Sequence, residues 1–286
     1  MPDTDWINRE QYPFKSHFYH TEQGKMHYVD EGKGDPIVFI HGNPSWSFQF
    51  RNVIKELSKT NRCIAPDMIG FGLSDKPRDF SYLPKDHARI IDDFLESLDI
   101  NKITIVVGDW GGPIGLSYAI NHPERIRNLV ITNTWLWSVK NDWYYQAFSK
   151  FVGGPIGKML INSRNFFARD IVKMASGKKP SKEVHKHYLK PLENRKERKG
   201  SWVFPGQVVG SWQWLDSLWE RKGALLDKEV LLVWGMKDIA FREKELKRWT
   251  ETFPEASVKK FDKVGHFVAE EDPEGLIREM RSAFRL

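Results

Sequence analysis

Three residues in this chain have the types and the order of a nucleophile, an acid and a base: Asp109, Asp238 and His266. Each follows an apolar or extended run, ITIVVG before Asp109, EVLLVWG shortly before Asp238, and SVKKFD shortly before His266. Asp109 lies in VVGDWGGPIGL, flanked by Gly108, Gly111 and Gly112. A plain helix N-cap is a good use for an aspartate, but it does not need glycines crowding both sides. The pattern predicts a cramped strand-to-helix turn that exposes the side chain. A serine is expected at such a turn, usually with glycine two places earlier, and here that earlier place holds Val107.

The change from serine to aspartate changes the chemistry. A serine must be activated by a base and suits attack on an acyl carbon. An aspartate is already ionised at neutral pH and can displace a leaving group from a saturated carbon directly. The product is an ester of the side chain itself. His266 is then needed only afterwards, to activate a water against that ester. The oxyanion formed in this attack needs N–H donors, for which Asn43 and Trp110 are the candidates.

Two leaving groups fit. An epoxide oxygen needs an acidic proton, for which Tyr144, Tyr145 or Tyr188 would have to serve. A halide needs only hydrogen-bond donors, and Trp110 offers an indole N–H and Asn43 a side-chain amide. Of the nine histidines, His41 sits in the HG turn and reads as a brace for that loop. His185 and His187 have no carboxylate or cysteine cluster beside them, so no metal is expected. GKGD at 32–35 lacks the following helix of a phosphate loop, and no cofactor is implied.

The elements that must position these residues alternate. Strands are expected at 25–32, 35–42, 62–67, 102–108, 127–134, 229–235 and 257–262, and helices at 45–60, 83–100, 110–120, 243–253 and from 273. This is an α/β pattern, a mostly parallel sheet covered by helices on both faces. Ligands bind such sheets outside the carboxyl ends of the strands, which is where all the suspect residues fall. From 135 to 215 the pattern is helical, aromatic and basic, without a buried-strand run. The expected division is a sheet domain of 1–134 and 216–286 with an inserted helical cap of 135–215.

Composition narrows the partners. The formal charge of +6 is concentrated around Lys178 to Lys199, unaccompanied by a groove-reading or base-stacking motif, so no nucleic acid is expected. The lone Cys63 suggests no disulfide, the polar start MPDTDWINREQYPF is unlike a signal peptide, and no apolar run spans a bilayer. A soluble cytoplasmic protein with no membrane partner is the expectation.

HGNPSWSF (41–48), VVGDWGGPIGL (106–116), GMKD (235–238) and VGHFVAEEDPE (264–274) together resemble the haloalkane dehalogenases of the α/β-hydrolase superfamily, over nearly the whole sheet domain. The resemblance implies a halogenated aliphatic substrate, water, a released halide and an alkyl-aspartate intermediate. Members carry the acid after either of two strands. RNLVITNTWLW has no carboxylate, which leaves Asp238. Asp–His–Asp with Asn–Trp looks like the third subfamily, whose members tend to form homo-oligomers. VFPGQVV (203–209) resembles the segment that lines the family's halide pocket, implying Phe204, Pro205 and Val208 as pocket residues. The alternatives are an epoxide hydrolase, a coelenterazine-type luciferase on the same scaffold, or a ligand-binding protein that keeps the fold.

Overall fold

A computed structural model describes residues 4–284 and 286. Eight strands form one sheet: β1 (His17–Thr21), β2 (Gly24–Glu31), β3 (Pro36–Ile40), β4 (Arg62–Pro66), β5 (Ile103–Gly108), β6 (Ile126–Thr132), β7 (Glu229–Gly235) and β8 (Ser257–Phe261). Their spatial order is β1-β2-β4-β3-β5-β6-β7-β8. The first two strands pair antiparallel, as do β2 and β4, and every later pairing is parallel. The chain leaves β3 to one side for β4 and returns on the other as β5. The strand order therefore reverses between β3 and β5, where a crevice opens at their carboxyl ends.

Both faces of the sheet are covered, so its central strands are mostly apolar, and the buried Asn128 of β6 donates to the Thr104 hydroxyl of β5 at 2.9 Å. In β3, Val38 and Ile40 join one core cluster while Ile37 and Phe39 join the other, the two-residue alternation of a strand buried on both sides. One face is packed by α2 (Pro84–Ser97), α3 (Gly111–Asn121) and α10 (Glu243–Thr252), the other by α1 (Arg51–Leu57), α11 (Val268–Glu271) and α12 (Pro273–Phe284). Helix α3 is buried from Gly111 to Ile120, which explains why its sequence shows no polar face. Cys63 packs inside β4, where burial pushes its thiol up to about 12.

Between β6 and β7 the chain forms α4 (Trp143–Val152), α5 (Pro155–Arg164), α6 (Val172–Ala175), α7 (Lys182–Leu189), α8 (Lys199–Gly210) and α9 (Trp212–Glu220), with no strand among the described residues. Helix α9 runs through position 215. Among the described residues no helix is long and apolar enough to cross a membrane.

Two local readings differ from the sequence expectation. Strand β1 was not anticipated: its residues alternate between exposed and half-buried, without the apolar run that marked the central strands. The helix expected over 45–60 begins only at Arg51, because Ser47–Phe50 form a tighter turn. Asp67 holds that turn by accepting the Ser47 N–H at 2.8 Å.

Candidate active site

The turn after β5 places Asp109 at φ +49°, a left-handed conformation that costs a non-glycine residue about 1–2 kcal/mol. Its neighbours hold it there. The Asp109 N–H donates to the Asn133 carbonyl at 3.0 Å, and its own carbonyl accepts from the Gly112 N–H at 3.0 Å and the Thr134 hydroxyl at 2.5 Å. The glycines are explained by close approach: a Cβ at Gly111 would strike the Ile40 carbonyl, and one at Gly42 would strike the Asp109 carboxylate itself. Val107 is an ordinary core residue of β5.

The Asp109 carboxylate accepts the backbone N–H of Asn43 on Oδ1 at 2.7 Å. Its Oδ2 lies 3.5 Å from Nε2 of His266. The other ring nitrogen of His266, Nδ1, is 2.9 Å from Oδ2 of Asp238. Asp238 is fully buried and also accepts the Ala240 N–H at 2.7 Å and the Asn133 side-chain amide at 2.9 Å. Burial alone would lower the pKa of His266. The charge of Asp238, hydrogen bonds to Asp109 and Asp238, and the charge of Asp109 outweigh it and raise the imidazole well above its ordinary value.

A cavity of about 310 Å³ opens above this group. Asn43, Asp109, Trp110 and His266 lie on its walls, and the rest of the lining is mostly apolar, including Phe148, Phe151, Phe167 and Ile171. Among the described residues the indole N–H of Trp110 has no acceptor. Among those residues the Asn43 side-chain amide N–H₂ makes only a long contact, 3.5 Å to the Ser201 carbonyl. Two neutral donors are thus largely uncommitted beside a carboxylate in an apolar chamber.

Of the three pocket candidates in α8, Pro205 and Val208 line the cavity. Phe204 does not. One residue along a helix turns the side chain by about 100°, and Phe204 packs behind the wall, edge-on to Trp110 at 5.3 Å and to Phe71 at 5.4 Å. The three tyrosines considered as acids are otherwise engaged. Tyr144 and Tyr145 reach the cavity, but their hydroxyls donate to the carbonyls of Ile239 and Ala240. Tyr188 lies outside the cavity lining and donates to Glu270 at 2.6 Å. His41 braces its loop: Nδ1 bonds the Gly42 carbonyl at 2.8 Å and Nε2 accepts the Met68 N–H at 2.9 Å. His185 and His187 bond the carbonyls of Ala168 and Glu183.

Sequence reasoning missed Asn133. Its side chain bridges β7 and the acid, donating to Asp238 and to the Gly235 carbonyl and accepting the Gly235 N–H at 2.7 Å. The one available signal was an amide at the tip of a strand that carries no carboxylate. Phe241, stacked on His266 at a ring separation of 5.7 Å, gave no signal at all.

Residues 35–273 match the family model described as the alpha/beta hydrolase fold, which defines the class. Haloalkane dehalogenase 2 of Mycobacterium tuberculosis is 38% identical over 265 residues, 92% of each chain. A cis-3-alkyl-4-alkyloxetan-2-one decarboxylase of Shewanella oneidensis is 33% identical over 94% of this chain and 88% of its own. The crystal structure of the haloalkane dehalogenase DatA from Agrobacterium tumefaciens C58 superposes with a TM-score of 0.84 at 25% identity, covering 94% of this chain and 95% of that one. The chain belongs to the haloalkane dehalogenases.

Proposed function

We propose that the protein hydrolyses haloalkanes to an alcohol, a halide and a proton, with Asp109 as the nucleophile. The observation that carries this reading is the placement of the Asp109 carboxylate, between the Asn43 N–H at 2.7 Å and His266 at 3.5 Å, on the floor of an apolar cavity. Asp109 attacks the carbon that bears the halogen, and the carbon–halogen bond breaks as the ester bond forms. Trp110 and the Asn43 amide donate to the departing halide. Water, deprotonated by His266, then adds to the ester carbonyl carbon. The Asn43 N–H, already on Oδ1, takes the oxyanion with the backbone N–H of Trp110; collapse breaks the ester C–O bond, the alkoxide leaves as the alcohol with the proton returned by His266, and the regenerated Asp109 carboxyl releases its proton. Asp238 orients the ring and balances its charge. No step needs a cofactor.

Asp109, His266 and Asp238 with Asn43 and Trp110 make this the third-subfamily arrangement, and residues 135–215 act as the cap over a core of 1–134 and 216–286. The walls contributed by that cap would select aliphatic substrates by shape and exclude bulk water. The test is halide and proton release from brominated and iodinated alkanes: the native protein releases both and Asp109→Ala neither. Full turnover by Asp109→Ala overturns the assignment.

The engaged hydroxyls of Tyr144, Tyr145 and Tyr188 weigh against the epoxide reading, which requires a free acid. They do not weigh against a strained lactone, whose ring carboxylate, like a halide, leaves without a proton. The similarity to the Shewanella oneidensis decarboxylase makes this the second reading. Incubation with a cis-3,4-dialkyloxetan-2-one, followed for alkene and carbon dioxide, separates the two.

A further inference from the structure

The carboxylate of Glu271 takes no part in the steps above, yet it is half-buried against the loop that carries the base. It sits at the end of α11, five residues after His266. Its Oε2 accepts the N–H of Gly265 at 3.0 Å and that of Lys178 at 3.1 Å, while Oε1 accepts the N–H of Phe267 at 3.1 Å. One side chain thus grips the residues on both sides of His266 and, with the same carboxylate, the strand of chain that follows α6. Burial raises its pKa, opposed by the N–H groups of Gly265, Lys178, Phe267 and Gly177.

The two segments it joins are in backbone contact. The His266 N–H donates to the Ala175 carbonyl at 2.9 Å. A Cβ on Gly177 would lie 2.5 Å from the Lys263 carbonyl oxygen and 2.7 Å from the Gly265 nitrogen. A Cβ on Gly265 would strike the Ala175 carbonyl in turn, and one on Gly235 would strike the Gly265 carbonyl. Such an approach leaves no room for other side chains, so the convergent N–H groups must be satisfied by one acceptor reaching in from α11. Met174 and Ala175, just before this junction, line the cavity together with His266 and Phe267.

We infer that Glu271 is a positioning residue for His266: it clasps the segment Ala175–Lys178 to the loop 264–267 and so fixes the imidazole over Asp109. The inference rests on the two-step function proposed above. It divides the reaction unequally. Alkylation needs the Asp109 carboxylate and the halide donors, none of which touches Glu271. Hydrolysis of the ester needs the ring of His266 placed to within a fraction of an ångström, and misplacement by about 1 Å costs roughly 10²-fold.

The test uses Glu271→Gln, which replaces one acceptor oxygen by an N–H₂ facing backbone donors, and Glu271→Asp, which keeps the charge but shortens the reach. With 1-bromobutane as probe, halide release is followed from the first turnover. The expected result for Glu271→Gln is a burst of about one halide per site at close to the native rate, then steady turnover lowered roughly 10- to 100-fold. Glu271→Asp falls between. Unchanged turnover, or burst and turnover lowered in parallel, overturns the inference. Amide hydrogen exchange at Gly265, Phe267 and Lys178 in the free protein, expected to quicken in Glu271→Gln, tests the clasp without substrate, and unchanged protection also overturns it. Absence of halide release by the native protein with every haloalkane would instead overturn the dehalogenation reading and leave the exchange result to decide the clasp.

Discussion

His266 rests between two carboxylates, 2.9 Å from Asp238 and 3.5 Å from Asp109. Its pKa is raised although burial works against it, because both acids favour the imidazolium. On the proposed mechanism, esterification of Asp109 would remove one of those charges, together with its acceptor oxygen. The imidazole pKa would then fall, so that the ring would become a base once there is an ester to hydrolyse. Two outcomes follow at this scale. His266→Phe is expected to release about one halide per site and stop, with the protein's mass increased by the alkyl group; sustained turnover counts against the base assignment. Lowering the pH is expected to slow steady turnover before it slows the burst, since only the second step needs neutral imidazole. Stopped-flow halide detection across pH 5–9 checks this. The residues proposed as catalytic were legible as candidates because each stands near a strand end in chain order with a distinctive neighbour. Asn133 was not, since its role depends on reaching across to β7 and Asp238, a contact that no local pattern encodes.

Among the elements, the central strands and their following helices were readable for one physical reason. Burial on both faces leaves a short all-apolar run, and the helices beside it keep a 3.6-residue repeat. Strand β1, alternating and half-exposed, carries no such mark. The region between β6 and β7 read as helical, but which of its residues face the cavity did not follow, because neighbouring positions on one helix turn to different partners. Phe204 and Pro205 show this: Pro205 lines the cavity, whereas Phe204 is fully buried against Trp110, Phe71 and His87. Phe204→Ala is therefore expected to act through packing, destabilising the fold by about 3–5 kcal/mol. It should also lower the first-step rate by loosening the Trp110 indole. Pro205→Ala should alter substrate range first. Urea unfolding beside burst rates for the two variants distinguishes these roles, and an unchanged stability of Phe204→Ala would contradict the placement.

For the molecule as a whole, the histidines set opposite limbs of the stability curve. His41, His87, His185 and His187 are all depressed, with burial the largest cause in each, and His87 falls to about 3. Below the ordinary histidine value near 6.5 the unfolded chain binds protons that these neutral rings refuse. Their contribution is present above that value and is lost as the pH falls toward the folded pKa. His266 works in the other direction. Its raised pKa favours the folded state fully below about 6.5, and that contribution disappears as the pH rises through the folded value. Stability in urea should accordingly be greatest near neutrality and decline on both sides. The acid limb can be assigned to a residue. His87 packs among Phe80, Phe71 and Phe204, and among the described residues its Nε2 has no partner. His87→Leu removes a polar atom without breaking a hydrogen bond of that nitrogen. Between about pH 6 and pH 4 it should reduce the slope of unfolding free energy against pH by about 1.4 kcal/mol per unit, the equivalent of one proton. An acid limb as steep as that of the native protein would show that His87 is not held neutral in the fold.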